Sequence, residues 1–163
     1  MTIKASAVTP AKAIELAPGA LFVIKQEWYL RVQLTGHYEP IVESAIQLGG
    51  GTEVFDPSGE RCITLAPNHS FEVRLIGAID GPGAPPHGAP NGPRRVPHGS
   101  LTWTVGGKLV IAWEKLYLTL DGLESNEVNP HDAFYVTHWG VWGLDPDGKQ
   151  ISPEPLVVIG AHA

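Results

Sequence analysis

The fold class of this chain is clearest in the segment Glu27-Trp28-Tyr29-Leu30-Arg31-Val32-Gln33-Leu34. Its aliphatic and aromatic side chains alternate with polar ones, and successive side chains of a β-strand leave opposite faces of the sheet. The spacing therefore predicts a half-buried strand with Trp28, Leu30 and Val32 on one face and Arg31 on the other.

The same alternation recurs along the chain and predicts two hairpins. In the first, residues 52–55 and 60–65 flank Asp56-Pro57-Ser58-Gly59, a sequence typical of a tight turn. In the second, residues 100–105 and 108–120 flank Gly106-Gly107. Further strands are predicted at residues 42–48, 71–75, 133–144, 149–151 and 155–159.

About nine strands without helical crossovers indicate an all-β, single-domain antiparallel β-sandwich or flattened barrel. Residues 80–99 are dense in Gly and Pro and are expected to form a long surface loop within that domain. Residues 1–19 are expected to form a flexible or swapped N-terminal arm, which leaves residues 20–163 as the sandwich domain.

The composition restricts the classes of partner that the protein could bind, and it bears on its expected location. The 163 residues include 19 Gly and 15 Pro, which leave little room for long helices, and the net charge is −6. That charge argues against nucleic acid or an anionic membrane as a partner. Cys62 is the single cysteine, so no intramolecular disulfide is expected. With no signal sequence or membrane-spanning run evident, the expected location is the cytoplasm.

No catalytic motif is evident, and no catalytic residue is predicted. The sequence lacks the nucleophile elbow, the zinc-protease helix motif and the phosphate-binding loop. Cys62 has no His or cation beside it in sequence and is interpreted as a small buried filler. An enzyme with an unlisted pocket around His138, His131 and Asp132 is the least favoured hypothesis.

Aromatic side chains concentrate in the second half of the chain, where four of the five tryptophans lie. Alternation places Trp113, Tyr117, Tyr135 and Trp139 as candidates for one shared sheet face. Such a face either fills the sandwich core or forms an exposed surface that binds carbohydrate or a protein partner. Both interpretations stay open at the level of sequence.

Residues 121–132 are rich in oxygen-bearing side chains, with Asp121, Glu124, Glu127 and Asp132 as weak candidate metal ligands. Calcium prefers such oxygen ligands, but the spacing does not match a calcium-binding loop. Acidic loops are usually solvated, so no cofactor is predicted and calcium is the alternative. His87 and His98, in matching Pro-His-Gly tripeptides, could bind zinc together with His69 or His131, but a loop rich in Pro and Gly seldom holds a rigid metal site.

The leading hypothesis is a non-enzymatic β-sandwich binding module that recognises carbohydrate or a protein through its aromatic residues and its long loops. The alternative is a structural or assembly subunit of a homo-oligomer, in which residues 1–19 and 80–99 order against neighbouring copies.

Overall fold

The computed structural model describes residues 2–35, 41–51, 53–82 and 96–160, and these residues form three antiparallel sheets. The all-β prediction is confirmed, and so is its sandwich character. The described part of the chain holds thirteen strands: β1 (Val8–Lys12), β2 (Leu21–Ile24), β3 (Glu27–Leu34), β4 (Val42–Gln47), β5 (Val54–Phe55), β6 (Arg61–Leu65), β7 (Ser70–Leu75), β8 (Leu101–Trp103), β9 (Leu109–Trp113), β10 (Leu116–Thr119), β11 (Tyr135–Val136), β12 (Trp139–Leu144) and β13 (Val157–Ile159).

The three sheets bury one principal core between them. A six-stranded sheet has the order β1-β6-β2-β3-β4-β5, a four-stranded sheet β10-β9-β8-β11, and a three-stranded sheet β13-β12-β7. The core draws on all three, through side chains such as Leu30 and Val32, Leu101 and Ile111, and Trp139. Burial of apolar area at roughly 25 cal/mol per Å² is the main stabilising contribution to such a sandwich.

Alternation predicts that Arg31 lies on the exposed face of a half-buried strand, but its side chain is buried because both faces of β3 are covered. Its side chain is only 2% exposed. The guanidinium donates to the carbonyl oxygens of Val32 and Ser44 and, at 2.6 Å, to the carboxylate of Glu43. These bonds compensate most of the desolvation of the charge, although Nε has no hydrogen-bond partner among the described residues.

A second, smaller cluster explains why that face is not open to solvent. The rings of Phe22 and Tyr29 stack at 5.3 Å, and Tyr29 meets Phe55, two strands away, at 4.8 Å. Cys62 packs in the same cluster and is 7% exposed, as expected of a filler. Burial raises the pKa of its thiol, which disfavours the reactive thiolate.

The first predicted hairpin is wrong in its pairing. The turn at residues 56–59 forms, with the Ser58 N–H donating to the Asp56 carboxylate, but it joins strands that do not pair. β5 pairs with β4, and β6 pairs with β1 and β2. Residues 56–60 thus connect strands four places apart in the sheet, a separation of about 19 Å if the sheet were flat. A connection shortened by a tight turn cannot span that distance, so the sheet must curve.

The second predicted hairpin is confirmed, but two long strands are not continuous. β8 pairs with β9 in the register Thr102 to Val110. The predicted strand at 108–120 is a further hairpin, because the chain reverses at Glu114, whose φ is +54°, and β9 pairs back on β10. The predicted strand at 133–144 divides into β11 and β12, which belong to different sheets.

Part of the N-terminal segment, which was expected to be a flexible or swapped arm, forms a strand of the six-stranded sheet. β1 pairs with β6 of the same chain along its whole length, and Ala7 and Ala13 on either side of it are buried. β1 is an edge strand and carries Pro10, which suits an edge because proline lacks a ladder donor. Of the predicted loop at 80–99, residues 83–95 lie outside the described residues.

Candidate functional site

Two of the four predicted binding aromatics belong to the principal core. Trp113 is 4% exposed and Trp139 is 1% exposed. The indole of Trp139 donates a 2.9 Å hydrogen bond to the carbonyl oxygen of Gly99. The ring of Trp113 packs 4.4 Å from that of His98. The core interpretation is therefore the right one for both tryptophans.

Tyr117 and Tyr135 lie on the opposite side of the four-stranded sheet. They are half-buried around a small cluster that includes Ala112 and Ala133. Burial is the main cause that raises the pKa of both phenols. The reversal at Glu114 places Trp113 and Tyr117 in adjacent strands on opposite faces, so the four aromatics do not form one exposed surface.

The four candidate calcium ligands do not converge. Asp121 lies 3.7 Å from the ammonium group of Lys108, and the carboxylate of Glu124 accepts from the backbone N–H of Thr35. Glu127 is exposed, and Asp132 pairs with a neighbouring side chain in its own turn. Within residues 2–35, 41–51, 53–82 and 96–160, no group of three or more His, Cys, Asp or Glu side chains could hold a metal ion.

The histidines considered for chemistry are also dispersed. His138 is half-buried and its carbonyl oxygen accepts from Ile76 and Gly77, whereas His131 lies on an exposed turn. No hydrogen bond or ion pair joins the two in the described part of the chain. His98 has both ring nitrogens in hydrogen bonds to backbone groups. His87 lies outside the described residues.

A different concave site combines aromatic and polar side chains, and we call it the Trp103 hollow. It encloses about 420 Å³, inside the range of roughly 300 to 1,000 Å³ typical of small-molecule sites. Trp103, at the end of β8, is half-buried, and Phe134 is 50% exposed. The hollow is lined by Trp103, Thr104, Val105, Asn129, Asp132, Ala133 and Phe134.

The β8–β9 connection fixes one wall of the Trp103 hollow. Thr104 exchanges backbone and side-chain hydrogen bonds with Lys108, so the tight turn after Trp103 is held at both ends. The next residue, Val105, donates its N–H to the carbonyl oxygen of Glu127 at 2.8 Å. This bond attaches the acidic loop to the hairpin and brings its final turn to the mouth of the hollow.

That final turn presents an oriented amide and carboxylate. Asn129 accepts from the His131 N–H through its side-chain oxygen, and its amide nitrogen donates to the Asp132 carboxylate at 2.9 Å. Asp132 N–H also bonds to the carbonyl oxygen of Asn129. Each side chain keeps hydrogen-bonding capacity beyond these contacts, so both can bind a polar ligand beside the aromatic rings.

Trp142 is the other half-buried tryptophan of the second half, but its ring is engaged within the protein. The guanidinium carbon of Arg74 lies 4.6 Å from the ring centroid. Arg74 is held in place by hydrogen bonds to Glu72 and Gln150. The ring also lies close over Gly140. Trp103 is therefore the more available indole.

The sequence prediction singled out Asp132 for metal binding and did not choose Trp103, Asn129 or Phe134. The available signal was an Asn-Pro-His-Asp turn in the same loop that carried the acidic residues. Its proximity to Trp103 depends on the backbone bond at Val105, which no local pattern encodes.

Comparison with protein-family models, with curated proteins and with solved structures gave no match. Among the described residues, no helix has the length and apolar character needed to cross a membrane. The geometry of the Trp103 hollow is therefore the basis on which a function can be argued.

Proposed function

We propose that the protein is a non-enzymatic binding module that recognises a carbohydrate in the Trp103 hollow. The observation that carries the proposal is the convergence of two accessible aromatic rings with the paired side chains of Asn129 and Asp132 around one concavity. Neither the net charge of −6 nor the fold indicates the ligand, so the chemistry of the lining is the argument.

The two kinds of side chain match the two kinds of surface on a sugar. The faces of Trp103 and Phe134 offer flat apolar area for the C–H side of a pyranose ring. The Asp132 carboxylate accepts from hydroxyl groups, and the Asn129 amide can both donate and accept. Because these polar groups are already oriented by one another, less ordering entropy is lost when the sugar binds.

Titration of the full-length protein with a panel of neutral mono- and oligosaccharides tests the proposal, followed by tryptophan fluorescence and NMR shift mapping. We expect saturable binding that perturbs Trp103 and the amides of the 129–132 turn. Trp103→Ala should abolish it, whereas Trp142→Ala, which removes an indole outside the hollow, should retain it.

A charge-matched pair of variants separates recognition by Asp132 from a general charge effect. Asp132→Asn should weaken binding by about tenfold, since a hydrogen bond to a charged group contributes roughly 1.5 to 3 kcal/mol. Asp147→Asn removes the same charge from an exposed turn elsewhere and should leave affinity unchanged. Equal effects of the two substitutions, or no binding across the panel by folded protein, would contradict the proposal.

A second candidate, self-association, is favoured by one observation. Ile76 and Ile79 are 44% and 55% exposed, and this segment runs beside Phe134 through the reciprocal backbone bonds of Asp80 and Tyr135. Exposed apolar side chains on adjacent segments suit a second copy of the chain. Sedimentation of the wild type and of Ile79→Asp tests self-association: a strict monomer in both would exclude it.

A cytoplasmic location stays a prediction.

A further inference from the structure

A groove at one end of the six-stranded sheet gathers cations in an otherwise acidic protein. It encloses about 570 Å³ and is lined by residues of the neighbouring strands β1, β6 and β2. We call it the basic groove. The ionisable groups that line it are Lys12, Lys25, Arg61, Glu15 and the buried thiol of Cys62, and its apolar lining includes Pro10, Val23 and Ile63.

Two of the cations oppose each other directly. Lys12 and Arg61 are cross-strand partners in the β1–β6 ladder, and like charges in that arrangement destabilise a sheet. Both side chains are exposed, and neither makes an ion pair with a described residue. Glu15 is the carboxylate that lines the groove, and Glu60 lines an adjoining hollow.

The third cation sits on a turn whose backbone is unfavourable for its sequence. Lys25 and Gln26 join β2 to β3 with φ values of +50° and +71°. A two-residue connection with both φ positive favours Asn or Gly, because a Cβ is crowded in the left-handed region. The chain therefore has two features that cost stability, the opposed cations and this turn, and both border the basic groove.

We propose that the basic groove binds a phosphate monoester that carries an apolar group. The dianion would lie between Lys12, Arg61 and Lys25 and offset their repulsion, with the planar guanidinium donating two parallel hydrogen bonds. The apolar group would cover Val23 and Ile63, the latter being 37% exposed. The groove is on a different sheet from Trp103, so the proposal does not rest on carbohydrate binding.

Phenyl phosphate is the probe, with inorganic phosphate, phenyl sulfate and phenol as comparison ligands, each titrated at low ionic strength and followed by NMR of the Val23 and Ile63 methyl groups. We expect phenyl phosphate to bind most tightly. Phenyl sulfate, which carries a single charge, and inorganic phosphate, which has no phenyl ring, should bind more weakly, and phenol should not bind detectably. If phenol bound as tightly as phenyl phosphate, the proposal would be overturned.

Lys12→Gln and Arg61→Gln should each weaken phenyl phosphate binding by about tenfold. Lys115→Gln makes the same charge change on the exposed β9–β10 turn and should leave the affinity unchanged. A comparable loss in Lys115→Gln would show that the effect is one of net charge, and the groove would carry no specific site.

The thermal unfolding midpoint distinguishes a binding role of Lys12 from a purely structural one. Without ligand, Lys12→Gln should unfold at a higher temperature than the wild type, because the opposed charges are gone. Saturating phenyl phosphate should raise the wild-type midpoint and move that of Lys12→Gln much less. A lower midpoint for ligand-free Lys12→Gln would contradict the argument from repulsion.

Discussion

The backbone N–H of Glu114 donates a 2.9 Å hydrogen bond to Nδ1 of His98, while Nε2 of the same ring lies 3.0 Å from the carbonyl oxygen of Gly51. An imidazole that accepts at Nδ1 and donates at Nε2 is neutral. One ring therefore bridges the loop after β4 and the β9–β10 turn, and it packs against Trp113 as it does so.

His98→Ala should destabilise the protein by about 1 kcal/mol, because it removes both bridging bonds, although water can reach their exposed backbone partners. Urea unfolding measures the loss, and amide exchange at Glu114 should accelerate. His69→Ala is the matched control, since the His69 ring contacts the carbonyl oxygen of Pro67, two residues away, and bridges no distant segments; it should cost under about 0.5 kcal/mol. Similar losses in both variants would mean that the bridge contributes nothing.

The ion pair of Glu43 with buried Arg31 predicts a pH-dependent contribution to stability. Hydrogen bonds from Arg31 and then from Gln33 hold the pKa of the Glu43 carboxyl below its usual range. A folded-state pKa below the unfolded one adds stability that is present above the unfolded pKa, about 4.3 for Glu, and is lost as pH falls through the folded pKa.

Glu43→Gln should therefore lower the free energy of unfolding at pH 7 by on the order of 1 kcal/mol, a value reduced by the partial solvation of the carboxylate. The difference from wild type should shrink as the pH is lowered through the range in which Glu43 titrates. Urea unfolding at several pH values measures this. Glu53→Gln, at an exposed position just before β5, should be neutral throughout, and a deficit independent of pH would refute the assignment.

Gly140 is required by the ring that lies against it. A Cβ added there would come within 2.9 Å of the Trp142 ring and 3.2 Å of the Ile76 side chain. Gly140→Ala should cost about 1 to 3 kcal/mol, as overpacking does. Gly106→Ala, whose Cβ would meet nothing nearer than 3.9 Å, should change the unfolding midpoint little. Equal midpoints for the two variants would contradict the predicted overpacking.

Trp139 is a core residue, so replacing it should lower the stability of the fold and not act on a binding site directly. Trp139→Ala removes a side chain that is 1% exposed and leaves the Gly99 carbonyl oxygen without its donor, a loss of about 3 to 5 kcal/mol. Circular dichroism during thermal unfolding measures it. A Trp139→Ala protein as stable as the wild type would contradict its place in the core.

In β3, alternation correctly identified Trp28, Leu30 and Val32 as core residues. It could not predict where a strand ends when hydrophobic side chains continue through a turn. The predicted strand at 108–120 reverses at Glu114, a residue with no turn preference of its own, and that reversal separated Trp113 from Tyr117.

The Trp103 hollow could be predicted from the sequence only in part, because local patterns do not show which distant segments meet. Asp132 was noticed as an oxygen ligand in an acidic loop, but its neighbours in space come from β8 and from residue 134. A backbone bond between Val105 and Glu127 assembles them, and such a bond leaves no mark on side-chain composition. The basic groove was missed likewise, since Lys12 and Arg61 are adjacent only through strand pairing.

The all-β class follows from local sequence alone, because a two-residue hydrophobic period is compatible with one kind of backbone. Three features depend on tertiary contacts instead: the pairing of β5 with β4 rather than β6, the burial of Arg31, and the proximity of Trp103 to Asn129 and Asp132. Periodicity is a property of neighbours along the chain. Sheet order, curvature and burial depend on the free energy of contacts between segments that are distant in sequence.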